Sequence, residues 1–264
     1  MTLNFAVNLS MLYTDVPFLD RFHRAAQAGF TTVEFLFPYD AGVEAVKSRL
    51  DDLGLKVALF NFHAGDIKNG EWGTLSNPDR REYFKWSSLT AIEVAKALHC
   101  VRLHAMFGQR LPDYDLAAQI DCACENLIWA APQAAEAGIE LLLEALNPID
   151  FPRYALNRVT MALEIIRRIN KPNVRLQYDI YHAQMTEGNL INTITSNFSD
   201  IGHIQIADVP GRHQPGTGEI NFPAIFAVLD LLGYTGYIGL EYKPLGESDS
   251  SLSWLPFGER KADR

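Results

Sequence analysis

The chain has 264 residues and carries 32 acidic against 23 basic side chains, a net charge of −9. That balance, with no Lys/Arg cluster to offset it, excludes a nucleic-acid footprint. Hydrophobic residues make up 48%, which allows a large core and excludes a disordered chain.

The length is long for one ordinary domain and normal for a single α/β barrel of about 250 residues. Three cysteines, Cys100, Cys122 and Cys124, form no disulfide-type pattern; they fit a reducing compartment and read as packing residues. Met1-Thr2-Leu3-Asn4-Phe5 lacks the basic and apolar parts of a secretory leader, and no apolar run approaches the ~20 residues of a membrane span. The expectation is a soluble cytoplasmic protein with no membrane and no nucleic-acid partner.

Strand and helix signals alternate along the whole chain. Residues 3–8 read as a short strand. Residues 15–28 follow as a helix, with Asp15 as its cap and Gly29 at its end. Strands are expected at 31–37, 55–61, 100–104, 139–145, 174–179, 201–207 and 235–241. Helices are expected at 43–53, 80–98, 115–137, 156–169, 189–198 and 222–232, and Pro132 suggests a kink or break in the fourth. The polar segments 63–78 and 208–219 are too long for plain connectors and read as active-site loops.

Eight strands in βα alternation imply a parallel sheet closed into a (β/α)8 TIM barrel. A doubly wound sheet usually carries a Gly-rich loop after its first strand; here that strand runs into Asn8-Leu9-Ser10-Met11. No composition shift marks a linker. The chain reads as one domain, 1–264, with a tail at 248–264 docking through Leu252, Trp254, Leu255 and Phe257.

Barrel active sites gather at the C-terminal ends of strands. Four successive strands end there on an oxygen donor: Glu144, Asp179, Gln205 and Glu241. These hard ligands suit Mg²⁺ or Mn²⁺, and the strand cores around them read as free of further charge. A divalent cation at such a site would serve as Lewis acid for a hydroxy-carbonyl substrate. Glu144 and Glu241, three strands apart around the ring, could then move a proton on either face of a planar enediolate.

His182, three residues beyond Asp179, is a candidate hydrogen-bond partner for a substrate oxygen. Arg212, in a Gly/Pro-rich loop, is a candidate for a substrate carboxylate. Lys243 lies two residues past Glu241; it is a substrate-binding candidate that would orient Glu241 or neutralise charge. Glu219 is a candidate anchor for the Arg212 loop, and Trp72 a candidate lid. His63 and His104 are weaker site candidates. A carboxylate pair also fits glycoside hydrolysis, but no long aromatic-rich insertion supplies a sugar cleft.

Several stretches together resemble the hydroxypyruvate isomerase family of the xylose-isomerase-like barrels. They are Asn8-Leu9-Ser10-Met11, 33–39, Ala64-Gly65-Asp66, Gln177-Tyr178-Asp179-Ile180-Tyr181-His182, Gln205-Ile206-Ala207-Asp208, 215–221 and Gly239-Leu240-Glu241-Tyr242-Lys243-Pro244. The resemblance implies interconversion of hydroxypyruvate and tartronate semialdehyde. It implies Glu144 and Glu241 as the acid/base pair and Glu144, Asp179, Gln205 and Glu241 as metal ligands. His182 and Arg212 become substrate contacts, and an assembly of several copies is implied too. Related sugar 3-epimerases carry His where Gln205 stands, which points away from ketohexoses. The 2-oxotetronate isomerase group shares the ligand set, although Asp179-Ile180-Tyr181-His182 and Pro215-Gly216-Thr217-Gly218 are nearer the hydroxypyruvate wording. His63 replaces an expected small residue or Pro before Ala64-Gly65-Asp66, which leaves substrate length open.

Overall fold

A computed structural model describes residues 3–261; residues 262–264 of the expected tail lie outside the described residues. The strands are β1 (Asn4–Asn8), β2 (Thr32–Glu34), β3 (Lys56–Val57), β4 (Phe60–Asn61), β5 (Arg102–His104), β6 (Glu140–Glu144), β7 (Val174–Asp179), β8 (Ile201–Ile206) and β9 (Tyr237–Leu240). All pair in parallel, in the order β3-β2-β1-β9-β8-β7-β6-β5-β4. The expected third strand, 55–61, is therefore interrupted: its first half pairs with β2 and its second with β5. Backbone bonds bridge the interruption. Ala58 N–H donates to Val33 O at 2.8 Å, Phe35 N–H to Leu59 O at 3.3 Å and Asn61 N–H to Leu36 O at 2.9 Å. The ring is the expected eight-stranded barrel.

The outer helices are α1 (Phe18–Gln27), α2 (Val43–Leu53), α3 (Arg81–Ala97), α4 (Leu116–Glu136), α5 (Val159–Ile169), α6 (Ile180–Thr186), α7 (Leu190–Ser196), α8 (Phe222–Leu231) and α9 (Ser248–Ser251). Asp15 does not cap α1, which starts after Pro17 without a side-chain cap; Asp15 instead pairs with Arg24 at 3.5 Å. Pro132 lies inside α4 without breaking it. Residues 156–158 are not helical, because α5 begins where Glu187 Oε2 accepts from Val159 N–H at 2.6 Å. Helix α6 leaves β7 directly and was not expected. Its cap is Asp179, whose side chain accepts from Tyr181 and His182 N–H, so a proposed ligand also starts the helix that carries His182.

Within residues 248–261, Leu252 and Leu255 are buried. The Trp254 ring stacks on Phe226 at 6.0 Å and meets Phe5 edge-on at 5.7 Å, closing the foot of the barrel over an apolar cluster. Phe257 stays half exposed. All three cysteines are buried and free. Among the described residues no helix is long and apolar enough to cross a membrane.

Candidate active site

Strand register decides which side chains meet at the barrel mouth. Glu144 pairs with Gln177, and Asp179 with Gln205. Glu241 follows β9 directly. Glu144, Asp179, Gln205 and Glu241 are all buried. Three buried carboxylates repel one another and lose hydration, so their charged forms are disfavoured. Burial, then the nearby Glu241 and Asp179, hold Glu144 well above the carboxylate range, with Arg212 opposing. Glu241 is pushed up to about 8 by burial, against the pull of Arg212, with Asp179 and Glu34 adding to the rise.

Arg212 supplies the counter-charge. Its Nη2 donates to Glu241 Oε2 at 2.7 Å and to Asp179 Oδ2 at 3.5 Å. Burial works against its charge, but Glu241, Asp179 and Glu144 outweigh this and raise its pKa. The guanidinium also lies over the Tyr181 ring at 5.1 Å. Arg212 sits at φ 54°, a left-handed backbone uncommon for a long side chain, and Lys243 N–H holds its carbonyl at 2.7 Å.

His182 is buried in the first turn of α6, with Nε2 at 3.6 Å from Asp179 Oδ2. Burial lowers its pKa to about 3, although Asp179 opposes this, so the ring is neutral. Glu144, Asp179 and His182 bring donor atoms within 4.8 Å of one another. His104, buried and pushed down to about 3 by burial, lies 3.5 Å from Glu144 Oε2. Asp179, Glu144, Glu241, Gln205, Arg212, His182 and His104 thus share one barrel mouth.

Other candidates fall elsewhere. The Lys243 side chain is exposed and contributes positive potential at Asp150. His63 stacks on Tyr39 at 3.6 Å and meets Trp86 at 4.9 Å, as part of a rim of aromatic rings. Trp72 meets Phe151 edge-on at 5.7 Å, and Phe151 meets His182 at 5.8 Å, so Trp72 backs the wall behind the histidine. Glu219 does not anchor the Arg212 loop: its side chain accepts from Gln184 at 3.1 Å. Asp208 anchors it, accepting from the N–H groups of Val209, Gly216, Gly218 and Ile220 at 2.8–3.0 Å.

The strand cores are not free of further charge. Glu34, buried inside the ring, accepts from Asn8 Nδ2 at 3.0 Å and Gln205 Nε2 at 2.8 Å, and pairs with His203 Nε2 at 2.7 Å. It reaches across only because position 239 is Gly: a Cβ there would collide with its carboxylate. Glu34 thereby fixes the flip of Gln205. The amide nitrogen faces Glu34, and the carbonyl oxygen accepts from Gln177 Nε2 at 2.6 Å with a second lone pair to spare. An acidic residue ending β2 beside a Gly in β9 was the sequence signal for this.

Donor chemistry supports a cation at this mouth. Three buried carboxylates face one guanidinium, and Glu144 Oε1 is buried with no hydrogen-bond partner among the described residues. Such an oxygen is costly unless something satisfies it.

The chain is 46% identical to the 2-oxo-tetronate isomerase of Pectobacterium atrosepticum, over 97% of this chain and 98% of that protein. It is 40% identical to the hydroxypyruvate isomerase of Escherichia coli, over 96% and 98%. A crystal structure described as AP endonuclease, family 2, from Brucella melitensis superposes with a TM-score of 0.93 at 41% identity, covering 96% of this chain and 98% of that one. Over residues 22–256 the chain matches the xylose isomerase-like TIM barrel, and it belongs to that family.

Proposed function

We propose that the protein is an aldose–ketose-type isomerase of a short 2-oxo-3-hydroxy acid. Two substrates share this chemistry, hydroxypyruvate and its four-carbon counterpart 2-oxotetronate, which differ by a hydroxymethyl group on C3. The sequence wording leans to the first. Identity of 46% against 40% leans to the second, and the four-carbon acid is the preferred substrate in this account.

The observation that carries the reading is the convergence of Glu144 and Glu241, both held above the carboxylate range, around the half-buried Arg212. Carboxyls tuned toward neutral pH are suited to both accept and return a proton. Glu144, Asp179, Gln205 and Glu241 would hold a divalent cation, Mg²⁺ or Mn²⁺, which would supply Lewis-acid polarisation of the 2-oxo group.

The residues divide the remaining work. One glutamate takes the C3 proton, C2=C3 forms, and the electron pair moves to O2. The hydroxyl proton passes from O3 to O2, and the other glutamate delivers a proton to C2. Arg212, whose guanidinium reaches Glu241 and Asp179, orients the substrate carboxylate. Cutting of nucleic acid is disfavoured by the net charge of −9.

The test compares kcat/KM for 2-oxotetronate, hydroxypyruvate and a ketohexose with Mg²⁺ or Mn²⁺ present. Preference for either acid over the ketohexose supports the reading; turnover of the ketohexose alone refutes it.

A further inference from the structure

We propose that Asn147 and Asp150 lock His182 in the tautomer with its proton on Nε2. His182 then donates a hydrogen bond to the substrate and stays out of the cation's ligand set. The question arises because Glu144, Asp179 and His182 place donor atoms within 4.8 Å of one another. A histidine ligates only through a nitrogen that carries no proton.

Counting hydrogens decides between the two roles. The Asn147 backbone N–H donates to His182 Nδ1 at 3.1 Å. A backbone N–H can only donate, so Nδ1 is an acceptor and the proton of the ring sits on Nε2. The Asn147 side chain adds a second donor at 2.7 Å. Its flip is fixed, because Oδ1 accepts from the N–H groups of Ile149 at 3.0 Å and Asp150 at 2.9 Å. The other terminal atom is therefore the amino group. One of its hydrogens goes to Asp150 Oδ2 at 3.0 Å and the other to His182 Nδ1.

Asp150 Oδ2 also accepts from Tyr181 Oη at 2.7 Å, and the Tyr181 ring lies beneath Arg212. One carboxylate thus orients both proposed substrate contacts, His182 through Asn147 and Arg212 through Tyr181. His182 Nε2 is buried without a hydrogen-bond partner among the described residues, as suits a donor kept for a substrate oxygen. Asn147 and Asp150 are positioning residues. The inference rests on the isomerase reading only for the identity of that oxygen.

The test uses full-length protein with ¹⁵N-labelled histidine, free of metal and loaded with Mg²⁺, with the His182 signals assigned by their loss in H182Q. Long-range ¹H–¹⁵N correlations should place the proton on Nε2 in both states; a proton on Nδ1 in the Mg²⁺-loaded protein overturns the proposal. In N147A and D150N, kcat/KM for 2-oxotetronate or hydroxypyruvate should fall roughly 10–100-fold, the size of effect seen when partners behind a site histidine are lost. Calorimetric Mg²⁺ affinity should stay within about twofold, since the ligands are untouched. A parallel loss of Mg²⁺ affinity would make His182 a ligand and overturn the proposal. Y181F cuts only the Arg212 branch and should raise KM while keeping the proton on Nε2; a scrambled tautomer there overturns the shared role of Asp150. If neither acid is turned over, the functional reading fails, while the tautomer and Mg²⁺ measurements still decide this one.

Discussion

Loading the site with a divalent cation should expel protons, and the structure sets how many. Glu241 is pushed up to about 8 by burial and by neighbouring carboxylates. At pH 7 such a group is protonated about nine times in ten, yet a ligand must be ionised, so binding should release roughly one proton from Glu241 alone. Isothermal titration calorimetry with Mg²⁺ or Mn²⁺, in two pH 7 buffers of different ionisation enthalpy, gives the proton count directly. Apparent affinity should climb up to about tenfold per pH unit between 6 and 8 and then level off. Release of less than about 0.2 proton at pH 7, with affinity flat across that range, would refute the electrostatic picture.

Stability carries the same signature. The Glu241 carboxyl lies at about 8 in the fold against an ordinary 4.5, so between these values the fold holds a proton the unfolded chain has lost. Metal-free protein should therefore lose stability as pH rises through that window, by up to about 1.4 kcal/mol per unit. Thermal melts should show the trend and should show it reduced when metal is bound. E144Q and E241Q should each lower kcat by about 10²–10⁴-fold with circular dichroism unchanged; near-normal turnover in either removes that residue from proton transfer. R212A should raise KM for the acid substrates more than it lowers kcat, as measured by steady-state kinetics, because the substrate carboxylate loses its planar partner. G239A forces the new methyl against the Glu34 carboxylate, and should cost about 1–3 kcal/mol in denaturant melts; an unperturbed melt would contradict the close approach.

The barrel was legible because its signals are local and redundant: βα alternation, Gly after helices, and apolar strands ending on oxygen donors. The interruption at 58–59 was not, because strand pairing on either side is set by the neighbours β2 and β5. Helix α6 is not legible because its cap, Asp179, reads equally well as the end of a strand and as a ligand. The carboxylates were found as strand-end residues, and register then brought them together. The supporting roles around them are not legible in the same way. Glu34 acts across the barrel on Gln205 and His203, 171 and 169 residues away, and no spacing in one strand shows that. Asp208 opens the polar loop 208–219, but four backbone donors converge on it only after the loop folds. Lys243 was placed by proximity in sequence to Glu241, yet its side chain is exposed and its backbone amide does the holding.

The central claim is that two different carboxyls move the proton between C3 and C2. It is tested by running the reaction in D₂O on metal-loaded enzyme and reading deuterium at C2 of the product by NMR. The account predicts deuterium at C2, because the proton delivered there comes from a carboxyl equilibrated with solvent, and it predicts no product from E144Q or E241Q on the same timescale. Product that retains the substrate's own hydrogen at C2, as a direct hydride shift from C3 would leave it, would contradict the account.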